Sequence, residues 1–175
     1  MKKISLWAVL TNGPKVGCFP VQRRLSTKIG KDGFPEYQSY PGVLQPLVTG
    51  KGEPGESPMK ILFRETKEEV GEEFAGILSR KTGCGRKFFR FSPEEYRGKN
   101  GEPVTDYNFI VRISQEELDK VDKVKLYSGA EPNLVFLSRK DADNIRTTKE
   151  INGEIQEDNL VMFPDHLEIF KKIAA

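Results

Sequence analysis

The chain has 175 residues, of which 37% are hydrophobic and 31% charged, a composition typical of a globular protein with a full core. Its 28 basic and 26 acidic residues leave a formal net charge of +2, which gives no electrostatic reason to expect a nucleic-acid or membrane partner. No apolar run approaches the roughly 18 residues of a membrane span. We therefore expect one cytoplasmic domain over residues 1–175, as a monomer or homodimer, with Cys18 and Cys84 as reduced thiols.

The first part of the chain is predicted to form strands. Ile4–Leu10 is apolar and β-prone, and Lys15–Leu25 is interpreted as a second strand that pairs with it through a turn at Asn12-Gly13. Residues 26–42 form a predicted loop with several aromatic rings, which either wall a ligand site or cover the edge of the core. Val43–Thr49 is a third, short strand.

The later part of the chain mixes strands and helices. Asp165 near the start of the last helix and lysines near its end suit the helix dipole. Strands around a central helix, with a closing helix, predict an α/β fold, most economically a mixed β-sheet between helices. The predicted strands are Lys87–Phe91, Tyr107–Ile113 and Leu134–Leu137, and the predicted helices are Ser114–Val121, Ser138–Ile145 and Pro164–Ala174.

The most informative stretch is Gly50–Gly71, which reads GKGEPGESPMKILFRETKEEVG. Ser57 is a good N-cap, Pro58 suits the first helical position, and Gly71 is a common helix terminator, so a helix is predicted over 58–70. One face of this helix should pack on the sheet. Its members, at spacings of three and four, are Met59, Leu62, Phe63, Thr66 and Val70.

The opposite face of this helix is acidic. Like charges three and four residues apart destabilise a helix, and Arg64, Lys60 and Lys67 offset only part of the repulsion. A bound Mg²⁺ or Mn²⁺ would relieve the rest, since both prefer carboxylate oxygens. A backbone carbonyl near Thr49 could serve as a further metal ligand, and Lys51 could bind a phosphate. A solvated acidic surface is the commoner explanation for RETKEE taken alone. The acidic residues are Glu65, Glu68, Glu69 and Glu72.

The complete stretch resembles the Nudix box, which has the form G-x5-E-x7-R-E-U-x-E-E-x-G-U, with U a bulky aliphatic residue. Thr66 and Glu72 stand where aliphatic residues are usual, so we expect imperfect docking of the helix at these two positions. A chance match to seven such positions is on the order of one in a million from average composition. The matching residues are Gly50, Glu56, Arg64, Glu65, Glu68, Glu69 and Gly71.

The resemblance implies an α/β/α sandwich and hydrolysis of a nucleoside diphosphate derivative, such as a nucleoside triphosphate or a nucleotide sugar. It implies that water attacks phosphorus with the help of Mg²⁺ or Mn²⁺. Glu68 and Glu69 would be the principal metal ligands, and Glu65 a further ligand or the general base. Arg64 would orient these glutamates, and Glu56 would support the metal, the helix or the bound substrate. The alternative is a non-catalytic Nudix-like module that binds a nucleotide or acts as a sensor.

Several residues outside the box are candidates for the same site. Family members often add an acidic ligand from a distant loop, and Glu131 is the candidate here, with Glu116 and Glu117 as weaker ones. Arg23, or its neighbour Arg24, could reach a phosphate, and Tyr40 could contact the substrate. The basic and aromatic segment 86–91 is interpreted as a strand with core contacts rather than a nucleic-acid surface. His166 has no Cys or His partner at zinc spacing and receives no role.

Overall fold

The computed structural model describes residues 1–30, 32–83, 88–90, 93–98, 100–122, 133–156 and 158–175, with only the backbone of Phe89. Glu131, Cys84, Lys87 and Phe91 therefore lie outside the described residues. The helices are α1 (Pro58–Val70), α2 (Glu72–Thr82), α3 (Gln115–Leu118) and α4 (Pro164–Ala174), with a 3₁₀ helix at Arg139–Asp143. The strands are β1 (Lys2–Leu10), β2 (Phe19–Arg23), β3 (Thr27–Ile29), β4 (Pro35–Tyr37), β5 (Leu44–Gln45), β6 (Val48–Lys51), β7 (Phe88–Arg90), β8 (Glu94–Arg97), β9 (Pro103–Ile113), β10 (Val135–Leu137), β11 (Arg146–Thr147) and β12 (Val161–Met162).

Two five-stranded sheets form the framework. Sheet one has the order β6-β1-β9-β7, and β8 also pairs with β9. Strands β1 and β9 run parallel from Lys2↔Thr105 to Leu10↔Ile113, whereas β6, β7 and β8 are antiparallel to their neighbours. Sheet two has the order β10-β2-β5-β12-β11, and β3 and β4 form a separate two-stranded ribbon. Sheet one is thus the predicted mixed sheet, while sheet two was not predicted.

The two faces of sheet one bury different cores, because successive side chains of a strand point to opposite faces. Ile4, Leu6 and Leu10 of β1 belong to the core that contains Ile61 and Leu62 of α1. Trp7 faces the other way, and its ring stacks on Phe170 of α4 at 5.8 Å between centroids. The mixed sheet therefore has helices over both faces, and the predicted α/β fold class is confirmed.

The predicted hairpin between the first two strands is wrong. Strand β1 is central in sheet one, with β6 on one edge and β9 on the other, so it has no free edge for β2. The two segments are joined at Leu10, whose N–H donates to the carbonyl of Cys18 at 3.0 Å and whose carbonyl accepts from Gly17 N–H at 2.8 Å. The chain then crosses into sheet two, where β2 pairs with β5 and β10. The Asn12-Gly13 turn serves this crossing.

Other element boundaries differ from the predictions for local reasons. Pro46, which cannot donate to a ladder, separates β5 from β6, and the two strands join different sheets. The loop 26–42 contains the β3–β4 ribbon, and the strand predicted at Tyr107 begins at Pro103 because β8 pairs with its first residues. The capping box at Ser114 is confirmed, as is the C-terminal helix.

Helix α1 has the predicted bounds and docks without a defect. Ser57 Oγ accepts from Lys60 N–H at 3.3 Å, and Gly71 takes a φ of 99°. Thr66 is fully buried, and its hydroxyl donates to the carbonyl of Leu62 at 2.6 Å. The polar atom at this position is therefore satisfied, and the expectation of imperfect docking at Thr66 is wrong.

Glu72 does not belong to the acidic face of α1. The chain turns at Gly71, so Glu72 is the first residue of α2. Its exposed carboxylate lies 3.1 Å from Lys67 Nζ. The acidic row of α1 consists of Glu65, Glu68 and Glu69.

No helix in the described ranges is long and apolar enough to cross a membrane.

Candidate metal and diphosphate site

A cavity of about 880 Å³ opens beside α1 and sheet one. The acidic row of α1 lines it, together with Thr49 and Gly50 of β6. Asp106 of β9 and His166 of α4 line the same cavity, so residues far apart in sequence meet in one space. A volume of this size suits a ligand as large as a nucleotide.

The three carboxylates of the acidic row have different environments. The Glu65 side chain is 13% exposed, whereas Glu68 is 55% exposed. Burial raises the pKa of Glu69 to about 8, and the neighbouring Glu65 and Glu68 carboxylates act in the same direction. Burial also raises the pKa of Glu65, although Arg64 opposes this effect. The charged form of Glu69 is thus poorly compensated, whereas that of Glu65 is partly compensated by Arg64.

Strand β6 holds the acidic row in place at very short range. The backbone N–H of Thr49 donates to Glu69 Oε2 at 3.0 Å. A Cβ atom at Gly50 would lie 2.1 Å from Glu65 Cγ and 2.2 Å from Glu65 Cδ. Only glycine at position 50 therefore permits the observed position of the Glu65 side chain.

If the chain hydrolyses a diphosphate, as its resemblance to the Nudix box implies, Gly50→Ala is expected to lower kcat/KM by about 10²-fold, because the added methyl group would displace the Glu65 carboxylate by about 1 Å or more. Steady-state kinetics would measure the loss of kcat/KM, and thermal unfolding would show whether the variant is still folded. Gly83→Ala is the matched control, since a Cβ there meets nothing within 4 Å and the φ of −80° suits alanine. Equal kinetics for the two variants would refute this role of Gly50.

Arg64 connects the loop before α1 to the acidic row. Its Nε and Nη2 donate to the two oxygens of Glu56, each at 3.1 Å. Its Nη1 donates to Glu65 Oε1 at 2.8 Å and lies 3.5 Å from Glu68 Oε2. Nη2 also donates to the carbonyl of Lys51 at 2.9 Å. The guanidinium thus fixes the loop and aims Glu65 at once.

Glu56 is fully engaged by these contacts. The hydrogen bonds from Arg64, followed by one from the backbone N–H of Glu53, lower the pKa of Glu56 to about 2. Its carboxylate is almost completely buried and is not among the residues that line the cavity. Its observed contacts are those of a partner that positions Arg64.

Glu56→Gln is expected to reduce the amount of stability that the protein loses in acid. The folded pKa of about 2 lies below the ordinary value of 4.5, so the unfolded chain binds more protons between these values. The wild type therefore loses stability as the pH falls from about 4.5 toward about 2. The variant should have a lower Tm at pH 7 and a shallower fall of Tm over this window. Calorimetry at several pH values would measure it, with exposed Glu154→Gln as the control; parallel curves for all three proteins would contradict the prediction.

Other predicted site residues lie in different places. Lys51 lines the cavity. Arg23 is buried, and its Nη1 donates to the carbonyl of Gly42 at 2.9 Å. Tyr40, with a φ of 55°, packs its ring 5.7 Å from Phe163 but is not a cavity-lining residue. The structure therefore brings Lys51 to the acidic row, but not Arg23 or Tyr40.

The weaker acidic candidates are engaged elsewhere. Glu117 forms the capping box of α3, and its Oε2 lies 2.8 Å from Lys81 Nζ. Glu116 is exposed on the same short helix. Neither lines the cavity, and Glu131 lies outside the described residues.

Sequence reasoning missed Asp106 and gave His166 no role, and it offered Arg24 only as the alternative to Arg23. Arg24 lines the cavity while Arg23 does not. Asp106 and Asn108 occupy alternate positions of β9, both nearly inaccessible to solvent. Polar residues at every second position of an otherwise apolar strand were the available signal, since they predict a polar patch on one sheet face.

The carboxylates of the acidic row are the right type of ligand for a hard cation, but they are not already arranged around one metal position. Carboxylate oxygens are the preferred ligands of Mg²⁺ and Mn²⁺. No lysine or arginine of the described residues forms an ion pair with Glu69, so its charge would be compensated by a cation. Within the same residues, no three acidic, His or Cys side chains are already gathered as a metal-binding group.

Comparisons with known proteins identify the fold. No protein-family model matches the sequence, and neither does any curated protein. Among solved structures, a mutT/nudix family protein from Listeria innocua matches with a TM-score of 0.54 and 16% identity, over 98% of this chain and 90% of that one. A NUDIX hydrolase from Nitrosomonas europaea matches with a TM-score of 0.52 and 13% identity, over 99% of this chain and 88% of that one.

A third structure, the NUDIX domain of Shewanella oneidensis NrtR complexed with ADP ribose, gives a TM-score of 0.55 and 8% identity over 99% and 85% of the two chains. All three matches cover nearly the whole of this chain. The chain has the Nudix fold, as its resemblance to the Nudix box implied.

Proposed function

We propose that this protein is a Nudix pyrophosphohydrolase, which hydrolyses the diphosphate linkage of a nucleoside diphosphate derivative with Mg²⁺ or Mn²⁺. The observation that carries this proposal is the row of Glu65, Glu68 and Glu69 on the wall of a nucleotide-sized cavity. The row follows a loop held by the Arg64–Glu56 pair. The Nudix fold supports the assignment of the reaction class.

Each residue of the row has a defined part in this proposal. Glu68 and Glu69, which line the cavity, would hold the cation, with a carbonyl of Thr49 as a further oxygen donor, and Lys51 would face the phosphates. Glu65 is either a third ligand or the base that accepts a proton from water. Arg64 orients Glu65 through the 2.8 Å hydrogen bond. When bound, the cation neutralises phosphate charge and lowers the pKa of a coordinated water.

The proposed reaction exchanges one P–O bond for another. The oxygen of water forms a bond to phosphorus, and the bond from that phosphorus to the bridging oxygen breaks. The bridging oxygen leaves with the electron pair on the departing phosphate. The proton of the water passes to a carboxylate of the site and then to solvent. The chain's contribution is to hold the diphosphate beside the acidic row and to keep Glu65 and Glu69 in position.

The test is a substrate panel with Mg²⁺ and with Mn²⁺, comprising nucleoside triphosphates, ADP-ribose, NADH and dinucleoside polyphosphates. Products would be separated by ion-exchange chromatography, and each reaction would be repeated with EDTA. We expect cleavage of at least one diphosphate compound, and its loss with EDTA. Absence of turnover on every compound with both metals would refute the proposal.

A second candidate is a module that binds a nucleotide without cleaving it. The observation in its favour is the Shewanella domain, which is complexed with ADP ribose. The complete acidic row of this chain favours catalysis instead. Calorimetry with ADP-ribose and Mn²⁺ separates the two, because tight binding with an intact ligand after long incubation would support the binding module.

A further inference from the structure

A second polar cluster lies on β9, and Asp106 of this cluster lines the same cavity as the acidic row. Asp106 and Asn108 stand on one face of β9, and the two residues are 6% and 1% exposed. Among the described residues, Asp106 Oδ1 has no hydrogen-bond partner, and neither does the oxygen nor the nitrogen of the Asn108 amide. Buried polar atoms are nearly always paired, so this cluster offers unused hydrogen-bonding capacity.

Further unpaired atoms belong to residues that line the same cavity. Within the described part of the chain, Arg24 Nε and His166 Nδ1 are buried without a partner, and both residues line the cavity with Asp106. The Arg24 guanidinium lies 5.4 Å from the centre of the Phe163 ring, which contacts the His166 ring at 5.8 Å. The lining of the cavity thus combines a carboxylate acceptor, a guanidinium donor and an aromatic surface.

The Asp106 carboxylate argues against a phosphate as its own direct partner, because like charges repel each other. Burial, followed by the Asp165 carboxylate, raises the pKa of Asp106, and Lys3, which also lines the cavity, opposes this effect. A phosphate is better placed beside the acidic row, where a cation and Lys51 can neutralise it. The group that suits Asp106 is neutral, planar enough to contact Phe163, and carries both N–H donors and acceptors.

On these grounds we infer that Asp106, Arg24 and Phe163 form a nucleobase-recognition subsite, in which Asp106 accepts from an amino or ring N–H of the base and Arg24 Nε donates to a ring nitrogen or carbonyl. This inference rests on the proposed function, since the diphosphate and the base would occupy the same cavity. It narrows the substrate to compounds whose base offers a donor next to an acceptor, and it makes Asp106 a specificity-determining residue.

The test is calorimetric binding of AMP, GMP, CMP, UMP and ribose 5-phosphate in EDTA, which removes metal and turnover from the readout. For the wild type we expect the affinity for a base with an amino group to exceed that for ribose 5-phosphate by at least about 10-fold. Asp106→Asn should lose about 10-fold or more toward that base and leave the affinity for ribose 5-phosphate unchanged. Glu95→Gln, on exposed β8, is the matched control.

Two outcomes would overturn the inference. One is equal wild-type affinity for all five compounds, which would mean that water alone satisfies the cluster. The other is an unchanged base preference in a folded Asp106→Asn protein. Should that variant not fold, Arg24→Gln takes its place and should weaken binding of bases with a carbonyl or ring-nitrogen acceptor. The same pattern of affinities as the wild type would again refute the subsite.

The failure of this inference is distinguishable from failure of the proposed function. If the wild type and Asp106→Asn hydrolyse the diphosphate panel with the same base preference, the subsite is refuted and the function stands. If the wild type hydrolyses nothing, the function is refuted, while the metal-free binding data still decide the subsite.

Discussion

Glu69→Gln is expected to lower kcat/KM for diphosphate hydrolysis by about 10³-fold or more, while the Tm of the metal-free protein stays unchanged or rises. The loss reflects a metal ligand, since the cation supplies several kcal/mol of transition-state stabilisation. The stability gain follows from burial, which disfavours the charged Glu69 carboxylate and raises its pKa to about 8. A neutral amide of the same shape can still accept from Thr49 N–H.

A loss of kcat/KM without a loss of Tm distinguishes a metal ligand from a residue that only stabilises the fold. A residue with only a structural role would lose activity and stability together. Glu72→Gln is the control, because Glu72 is an exposed glutamate that pairs with Lys67 and does not line the cavity. Kinetics, Mn²⁺ binding and thermal unfolding should be measured on both. Full activity of Glu69→Gln would exclude Glu69 as a metal ligand.

Arg64→Lys is expected to lower kcat/KM by about 10- to 100-fold and to lower Tm, although the positive charge is kept. One ammonium cannot replace the two bonds to Glu56, the bond to Glu65 and the bond to the Lys51 carbonyl together. Glu56 would lose its paired geometry, and Glu65 would lose its orientation. Kinetics and calorimetry on the same preparation would record both effects.

Arg80→Lys is the matched control, since Arg80 is an exposed residue of α2. The double variant Arg64→Lys with Glu56→Gln should lose less than the sum of the two single changes, because both act on one contact. Additive losses, or normal kinetics of Arg64→Lys, would show that this arginine does not organise the acidic row.

The sequence alone determined the features that depend on neighbours within a few residues. The bounds of α1 follow from Ser57, Pro58 and Gly71, and each signal acts within one helical turn. The acidic row follows from the same helical period. The charged pattern from Gly50 to Gly71 was sufficient to predict the fold, because that spacing resembles one family's motif.

Only the tertiary structure decided which distant groups share the site. Arg24 rather than Arg23 lines the cavity, a difference of one position that local pattern cannot resolve. The close approach of Gly50 to Glu65 depends on how β6 packs against α1. Asp106 is more than 35 residues beyond Glu69 in the chain, and it shares the cavity only because β1 pairs with β9 on one edge and β6 on the other. Strand pairing joins residues of large sequence separation, and it is selected by burial of the whole core rather than by any local signal.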